Sequence, residues 1–428
     1  MVRLKPNPDN FFTCPECRSE QPFVNEIKVV SINILADCTC AICGFEFHQV
    51  LPVGHTVDYP LSIGSENGKL YQPGENHNWL SQSLLKAHKG SRKDTVRIEK
   101  IIFKKYEKVV ILNTLDSLYG HVLLKLYNAF YHLDHQKDIG LILIIPKIFK
   151  WLIPKGCAEA WIVDLKLSEL IFDYESIQKF VSNEFERFQD IFLSKAYSHP
   201  NFSTVDIARL TGVQPFNLKD FSNQKPTITF ILREDRWWFK SNAHYLFYRV
   251  CRKLKVLSWG SRILSGQQNR LIKRTIKLIR KELPIVDFNV IGLGKTGSFA
   301  GYAMDERQWN VNALVEMTWC KTYAQSHVVI GVHGSNMLLP SALAAGCVEI
   351  LPDDRYGNMV QDLSVRYTDR LQLFFYRFVD QFANPKSVGS KAIAIIRDYS
   401  LYHKNMCSNT YPAGSSMTIL PIVDDFNH

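Results

Sequence analysis

The chain has 428 residues, 46% of them hydrophobic and 21% charged, a composition that excludes a disordered protein and a length that exceeds what one hydrophobic core usually holds. No stretch approaches the roughly 18–20 uncharged apolar residues needed to span a bilayer, and the first ten residues lack a signal-peptide core, so a cytosolic protein is expected. The net charge of +10 favours anionic partners, among them nucleic acid, anionic lipid and nucleotide-sugars, without selecting one.

Taken in order, residues 1–54 carry the sharpest chemical pattern. Cys14 and Cys17 form one C-x₂-C pair and Cys40 and Cys43 another, with Gly44 free to make the tight turn after the second. Four thiolates at this spacing close a tetrahedral structural zinc site, and residues 27–34 between them read as a strand, as in a zinc ribbon. Cys38 and His48 are spare ligand candidates. A Cys₄ site leaves no open coordination position, so the zinc is expected to hold structure and not to catalyse. Phe45, Phe47 and His48 are the only aromatic cluster, which is thin for a nucleic-acid surface. The remaining cysteines, Cys157, Cys251, Cys320, Cys347 and Cys407, sit mostly among apolar neighbours and read as buried free thiols.

Residues 55–104, rich in Gly, Ser, Asn, Pro and His, read as a linker. From 105 to 225 strands and helices alternate: strands at 109–112, 141–145 and 161–163, a helix over 118–133, and an amphipathic helix over 175–196. From 226 to 428 the pattern repeats, with a strand at 227–232 followed by Arg233, Glu234, Asp235 and Arg236. Two basic helices lie between 241 and 284, a Gly-rich stretch at 290–297 lacks the first glycine of a Walker A loop, and a helix over 309–324 leads to a strand at 328–332. His333, Gly334, Ser335 and Asn336 end that strand. Ser335 or Asn336 can cap a helix over 337–345, and a strand at 347–351 carries Glu349. Closing elements fall in 371–402. Alternation of this kind implies parallel sheets with Rossmann-like winding, and a turn that brings an imidazole, a hydroxyl and helix-start N–H groups to a strand's C-terminal end suits anions.

The stretch from Val329 to Glu349 resembles the signature of glycosyltransferase family 61, V-x-G-x-H-G-A-x-L-x-N, through Val329, Gly331, His333 and Gly334, with Ser335 for the Ala and Met337 for the Leu. Ala345 and Gly346 stand where the family has P-G, and Leu339 stands where it has Asn. Around His121 the chain is similar to a second family landmark, G/Y-H-W/F-L-L-D, with Lys125 in place of the acid. Arg233, and less closely Arg236, match the arginines that face the donor diphosphate in the family. The resemblance covers about residues 105–400 in the family's order.

It implies a GT-B-like α/β fold, two Rossmann-like domains facing a cleft, with the small N-terminal zinc ribbon in addition. It also implies an inverting glycosyltransferase that moves a sugar from a nucleotide-sugar donor to a glycan or other hydroxyl acceptor, with His121 as base. Arg233, Arg236, His333, Gly334, Ser335 and Asn336 would hold the donor, and Glu349 its ribose. The basic helices after Ser241 allow peripheral membrane contact, at the inner face for a cytosolic protein. The alternative is a zinc-ribbon nucleic-acid-binding protein with a degenerate transferase-like fold. A zinc-ribbon methyltransferase is disfavoured, because no G-x-G-x-G loop follows the first strand.

Overall fold

The computed structural model describes residues 1–9, 12–71, 78–367 and 370–407, and the chain divides into two compact units, Met1–Asp206 and Ile207–His428. Both are mixed α/β with parallel strands.

The first unit opens with β1 (Val2–Lys5) and an antiparallel sheet of β2 (Pro22–Val30), β3 (Asn33–Cys40), β4 (Glu46–Val50), β5 (Ser62–Gly64) and β6 (Leu70–Tyr71). Residues 27–34, expected as one strand, instead contain the turn of the β2–β3 hairpin, with Ser31 at φ 50°. Val30, Leu35, Val50, Leu61 and Ile63 of this sheet pack with Leu84 of α1 (Asn78–His88). The stretch expected as a linker thus carries β5, β6, α1 and β7 (Ile98–Ile102), apart from residues 72–77, which lie outside the described residues.

The larger sheet of this unit adds β8 (Lys108–Asn113), β9 (Gly140–Pro146), β10 (Glu159–Val163) and β11 (Asp190–Leu193), in the spatial order β1-β11-β8-β9-β10-β7. The inner four strands are parallel, while β1 and β7 close the edges antiparallel. All seven residues of β9 are buried, as expected of a strand covered on both faces. The helix expected over 118–133 is two, α2 (Tyr119–Tyr127) and α3 (Ala129–His135), divided at Asn128, whose amide donates to the Leu124, Lys125 and Tyr197 carbonyls. The helix expected over 175–196 ends early, as α4 (Glu175–Phe185), and its second half is β11. There Ile191 follows Phe188 at helical spacing but Leu193 follows Ile191 at strand spacing, and pairing with β8 and β1 decides for strand.

The ribbon sheet is fixed to this layer. Asn113, fully buried at the end of β8, donates to the Ser31 carbonyl at 3.0 Å, and Gly54 N donates to Lys195 O at 2.8 Å.

The second unit runs α5 (Ile207–Thr211), β12 (Thr227–Arg233), α6 (Asn242–Lys253), α7 (Leu257–Glu282), β13 (Asp287–Leu293), β14 (Met304–Asp305), α8 (Ala313–Ala324), β15 (Val328–Val332), α9 (Leu338–Leu343), β16 (Gly346–Leu351), α10 (Leu371–Phe375), β17 (Tyr376–Asp380), α11 (Pro385–Arg397) and α12 (Tyr399–Cys407). Its six strands are all parallel, in the order β14-β13-β12-β15-β16-β17. In chain order that is 3-2-1-4-5-6, the doubly wound arrangement in which the order reverses between the first and fourth strands. The helix expected from 309 starts later, where the Asn312 side chain caps α8 by accepting from Val315 N. The helix expected over 337–345 is a 3₁₀ turn at Ser335–Met337 followed by the six residues of α9, and neither Ser335 nor Asn336 caps it. The Asn336 amide is occupied elsewhere, donating to Val332 O.

Candidate functional site

In an open parallel sheet the crevice for a ligand lies at the C-terminal ends of the strands where their order reverses. In the second unit these are β12, which runs into Arg233, Glu234, Asp235 and Arg236, and β15, which runs into His333, Gly334, Ser335 and Asn336. The two loops meet directly: Arg236 Nη1 donates to the His333 carbonyl at 2.7 Å and to Asn336 Oδ1 at 3.3 Å. Gly334 makes this approach feasible. Its φ is 145°, and a Cβ there would lie 1.2 Å from Arg236 Nη1.

His333 and Glu349 are both fully buried, and His333 Nδ1 lies 2.5 Å from Glu349 Oε2 on the neighbouring strand β16. Burial pushes the Glu349 carboxyl up from its usual range, against the opposing pull of His333. His333 Nε2 has no hydrogen-bond partner among the described residues. A buried imidazole with one nitrogen committed and the other unpartnered suits a polar ligand. By contrast His327, at the start of the same segment, is satisfied on both nitrogens by Thr227 N and Phe221 O, a core histidine.

The two arginines differ. Arg233 is held in a two-pronged ion pair with Asp235, at 2.7 and 2.5 Å, so its charge is compensated locally. Among the described residues Arg236 donates only through Nη1; burial and the nearby Arg233 and Arg355 lower its pKa, which Asp362 and Asp235 oppose. Glu234 has a separate task. It accepts from Thr296 N at 2.6 Å and Thr296 Oγ1 at 2.5 Å and clamps the loop after β13. A Cβ at Gly294, whose φ is 127°, would strike it at 2.3 Å. The Gly-rich stretch at 290–297 is therefore the last strand residues and a loop closed on an acid. Gln268 of α7 supports the same edge, donating to Arg233 O and accepting from Trp238 N.

The first unit repeats the geometry, since its parallel strands run 4-1-2-3 and reverse between β8 and β11. After β8 come Asp116 and His121, and after β11 come Ser198 and His199. His121, in the first turn of α2, has Nδ1 3.4 Å from Asp116 Oδ1, and Lys125 Nζ lies 2.8 Å from Asp116 Oδ2. The acid absent from the position of Lys125 is thus supplied from five residues before His121. Burial raises the Asp116 carboxyl, but Lys125 and His121 outweigh it and hold it well below the usual range. His55 enters from the ribbon side, its ring 5.0 Å from His121 and 5.5 Å from His199, with Ser198 Oγ 3.1 Å from its Nδ1. Burial first, and then His121 and His199, push the His55 pKa down to about 3. Nothing in the sequence spacing links His55, His121 and His199; only the strand order collects them.

Cys14, Cys17, Cys40 and Cys43 bring their Sγ atoms within 4.8 Å of one another, with 3.7 Å for Cys14–Cys43 and 3.6 Å for Cys17–Cys40. Four sulfurs about 2.3 Å from a zinc would be about 3.8 Å apart, so the set fits a metal of that kind. The two knuckles match: Arg18 N donates to Cys14 O and Gly44 N to Cys40 O, both at 2.9 Å, with φ 61° and 70°. The Cys43 N–H leads the contributions that draw the Cys40 thiol down to about 6. The spare candidates lie apart from this set. Cys38 donates to Ala36 O, and His48 pairs with Asp37.

No protein-family model matches the sequence, and no curated protein matches it. Among solved structures, a protein described as UDP-N-acetylglucosamine 2-epimerase from Listeria monocytogenes is 9% identical at TM-score 0.29, over 69% of this chain and 67% of that one. The pneumococcal O-GlcNAc transferase GtfA, solved with UDP and GlcNAc, is 10% identical at TM-score 0.24, over 88% of this chain and 64% of its own length. TarM is 9% identical at TM-score 0.24, over 90% and 70%. Superpositions this loose carry no argument about chemistry. No described helix is long and apolar enough to cross a membrane.

Protein purified without chelators should carry about one zinc per chain by elemental analysis. Cys17→Ser with Cys40→Ser should abolish it and lower the first thermal transition; full zinc retention in that variant would contradict the site. A second expectation concerns pH. His55 has a folded pKa near 3, below the about 6.5 of an unfolded histidine, so the unfolded state binds the extra proton between these values. Stability of the first unit should therefore fall as pH drops from about 6.5, and His55→Gln should flatten that decline in urea titrations.

Proposed function

We propose that the protein is an inverting glycosyltransferase that moves a sugar from a nucleotide-sugar to a hydroxyl of a glycan or other acceptor. One observation carries this reading: His333, engaged by Glu349 on one nitrogen and unpartnered on the other, stands beside a partly committed guanidinium at the strand-order reversal of a doubly wound sheet. The resemblance to glycosyltransferase family 61 supports the reaction class.

In the reaction the acceptor oxygen bonds to the anomeric carbon while the bond to the donor diphosphate breaks. The leaving nucleoside diphosphate gains negative charge, which Arg236, the His333 ring and the N–H groups of Ser335 and Asn336 would stabilise. Gly334 keeps the backbone open to Arg236. We assign Arg233 a secondary role, since Asp235 compensates it, and Glu349 the orienting of His333 in place of a ribose contact. We assign the role of base to His121, whose Nδ1 is turned to Asp116. A structural zinc on the four cysteines belongs to the same proposal, as does a cytoplasmic setting that keeps the remaining thiols reduced. No nucleic acid is required.

Calorimetric titration of the full chain with UDP, GDP and CMP tests the donor site. The expected outcome is micromolar binding of one nucleotide that weakens at least tenfold in Arg236→Ala and in His333→Ala, and much less in Arg233→Ala. No binding to any of the three by a folded, metal-loaded chain would sink the transferase reading. It would favour a nucleic-acid-binding protein with a degenerate site.

A further inference from the structure

Between Ser241 and Lys281 the chain contains no Asp or Glu, but it holds 11 of the 51 Lys and Arg residues. That leaves 40 basic against 41 acidic residues elsewhere, so the entire net charge of +10 resides in the α6–α7 hairpin. The tip of the hairpin is also apolar. Leu246 and Val250 on α6 and Leu254 at its C-terminal cap recur every four residues, and Trp259 and Ile263 do so on α7. Leu254 is 64% exposed, Trp259 63% and Leu246 58%.

The packing of α6 on α7 brings these side chains to the same end of the hairpin. Cys251 lies so close to α7 that a Cβ on Gly260 would meet its sulfur at 2.7 Å, and the Phe247 and Trp259 rings are 6.3 Å apart. Arg249, Arg252, Lys253, Lys255 and Arg262 surround the tip, are exposed, and have no ion-pair partner among the described residues. The tip also has a defined direction. Gln268 of α7 bonds to the last residue of β12, while Arg280 stacks over Phe288 near the start of β13, so α7 runs against the strands. The eleven residues before Gln268 carry α7 about 16 Å past the C-terminal edge of the sheet. This is the edge that bears Arg236 and His333.

We propose that the α6–α7 tip docks this protein on an anionic phospholipid surface. Leu246, Val250, Leu254, Trp259 and Ile263 enter the boundary between headgroups and acyl chains, and the Arg and Lys residues around them meet lipid phosphates. Charge alone would suit nucleic acid equally well. The aliphatic stripe distinguishes the two, because Leu, Val and Ile gain nothing from a phosphate backbone but are buried by a bilayer. Each basic residue near an anionic leaflet strengthens partitioning by about fivefold, and each exposed Leu or Trp adds at least as much when buried.

The test is co-sedimentation of the full chain with vesicles of phosphatidylcholine containing one quarter phosphatidylglycerol, beside pure phosphatidylcholine vesicles and a single-stranded RNA. The expected result is binding to the phosphatidylglycerol vesicles alone, weakened by high salt, and reduced at least tenfold in Leu254→Ser with Trp259→Ser at unchanged melting temperature. Arg252→Glu with Lys255→Glu should weaken it similarly without touching the apolar stripe. Failure to bind the anionic vesicles overturns the proposal. So does equal binding by the double Ser variant, binding to RNA that depends on the same residues while vesicles are ignored, or a dimer that the Ser substitutions dissolve in the absence of lipid binding. None of these readouts depends on the proposed transferase activity, so either reading can fail without the other.

Discussion

The reversal of strand order between β12 and β15 is the constraint on which the second unit depends. After β14 the chain returns to lay β15 on the far side of β12, and right-handed crossovers from such a pair of strands diverge to opposite sides of a sheet. The opening at their C-terminal ends is a consequence of winding, not of any one residue. What the residues decide is how that opening is lined. Arg236 reaches across it to the His333 carbonyl, which Gly334 permits because it has no Cβ, and Glu349 holds the imidazole from the adjacent strand.

The surroundings are polar where they must hold a loop and apolar where they hold a layer. Its nearness in sequence to Arg233 and Arg236 would pair Glu234 with an arginine. Instead it turns to Thr296, with Arg307 at 3.8 Å, and fixes the loop after β13. This leaves Asp235 to Arg233 and Arg236 to the opening. The first unit follows the same rule at its own reversal, where Asp116 gathers His121 and Lys125. There the ribbon contributes as well: Asn113 and Ser31 tie its hairpin to β8, and His55 joins the histidine group. The ribbon is built into this unit instead of hanging from a linker.

How much of this was legible in the sequence follows from how local the signals are. The Cys₄ set and the strands flanking His333 were readable because they depend on short spacing and on continuous apolar runs. Gly334 and His333 were readable as a turn, and the pairing of His333 with Glu349 was not, because it depends on two strands lying side by side. Residues 186–196 read as helix because Phe185, Phe188 and Ile191 continue the spacing of α4, and the strand spacing from Ile191 to Leu193 is decided only by the partners on β8 and β1. Asp116 was missed for a related reason. The resemblance placed an acid four residues after His121, whereas the chain supplies it five residues before, from the loop that ends β8. His55 and His199 lie 144 residues apart and carry no pattern at all. The charge of α6 and α7 was plain in the sequence, but the exposure of Leu254 and Trp259 was not, since apolar residues at helical spacing ordinarily mark a core.

On the proposed reading, His333 Nε2 meets an anionic ligand at the strand-order reversal. Histidine-selective ¹⁵N labelling, with the His333 ring assigned through a His333→Gln variant, tests it most directly. On titration with a nucleoside diphosphate the account predicts a saturable shift of the His333 Nε2 resonance, with the core ring of His327 unmoved. If the nucleotide binds and His333 does not respond, or if His327 and His333 move together, the ligand sits elsewhere and the account of the site is wrong.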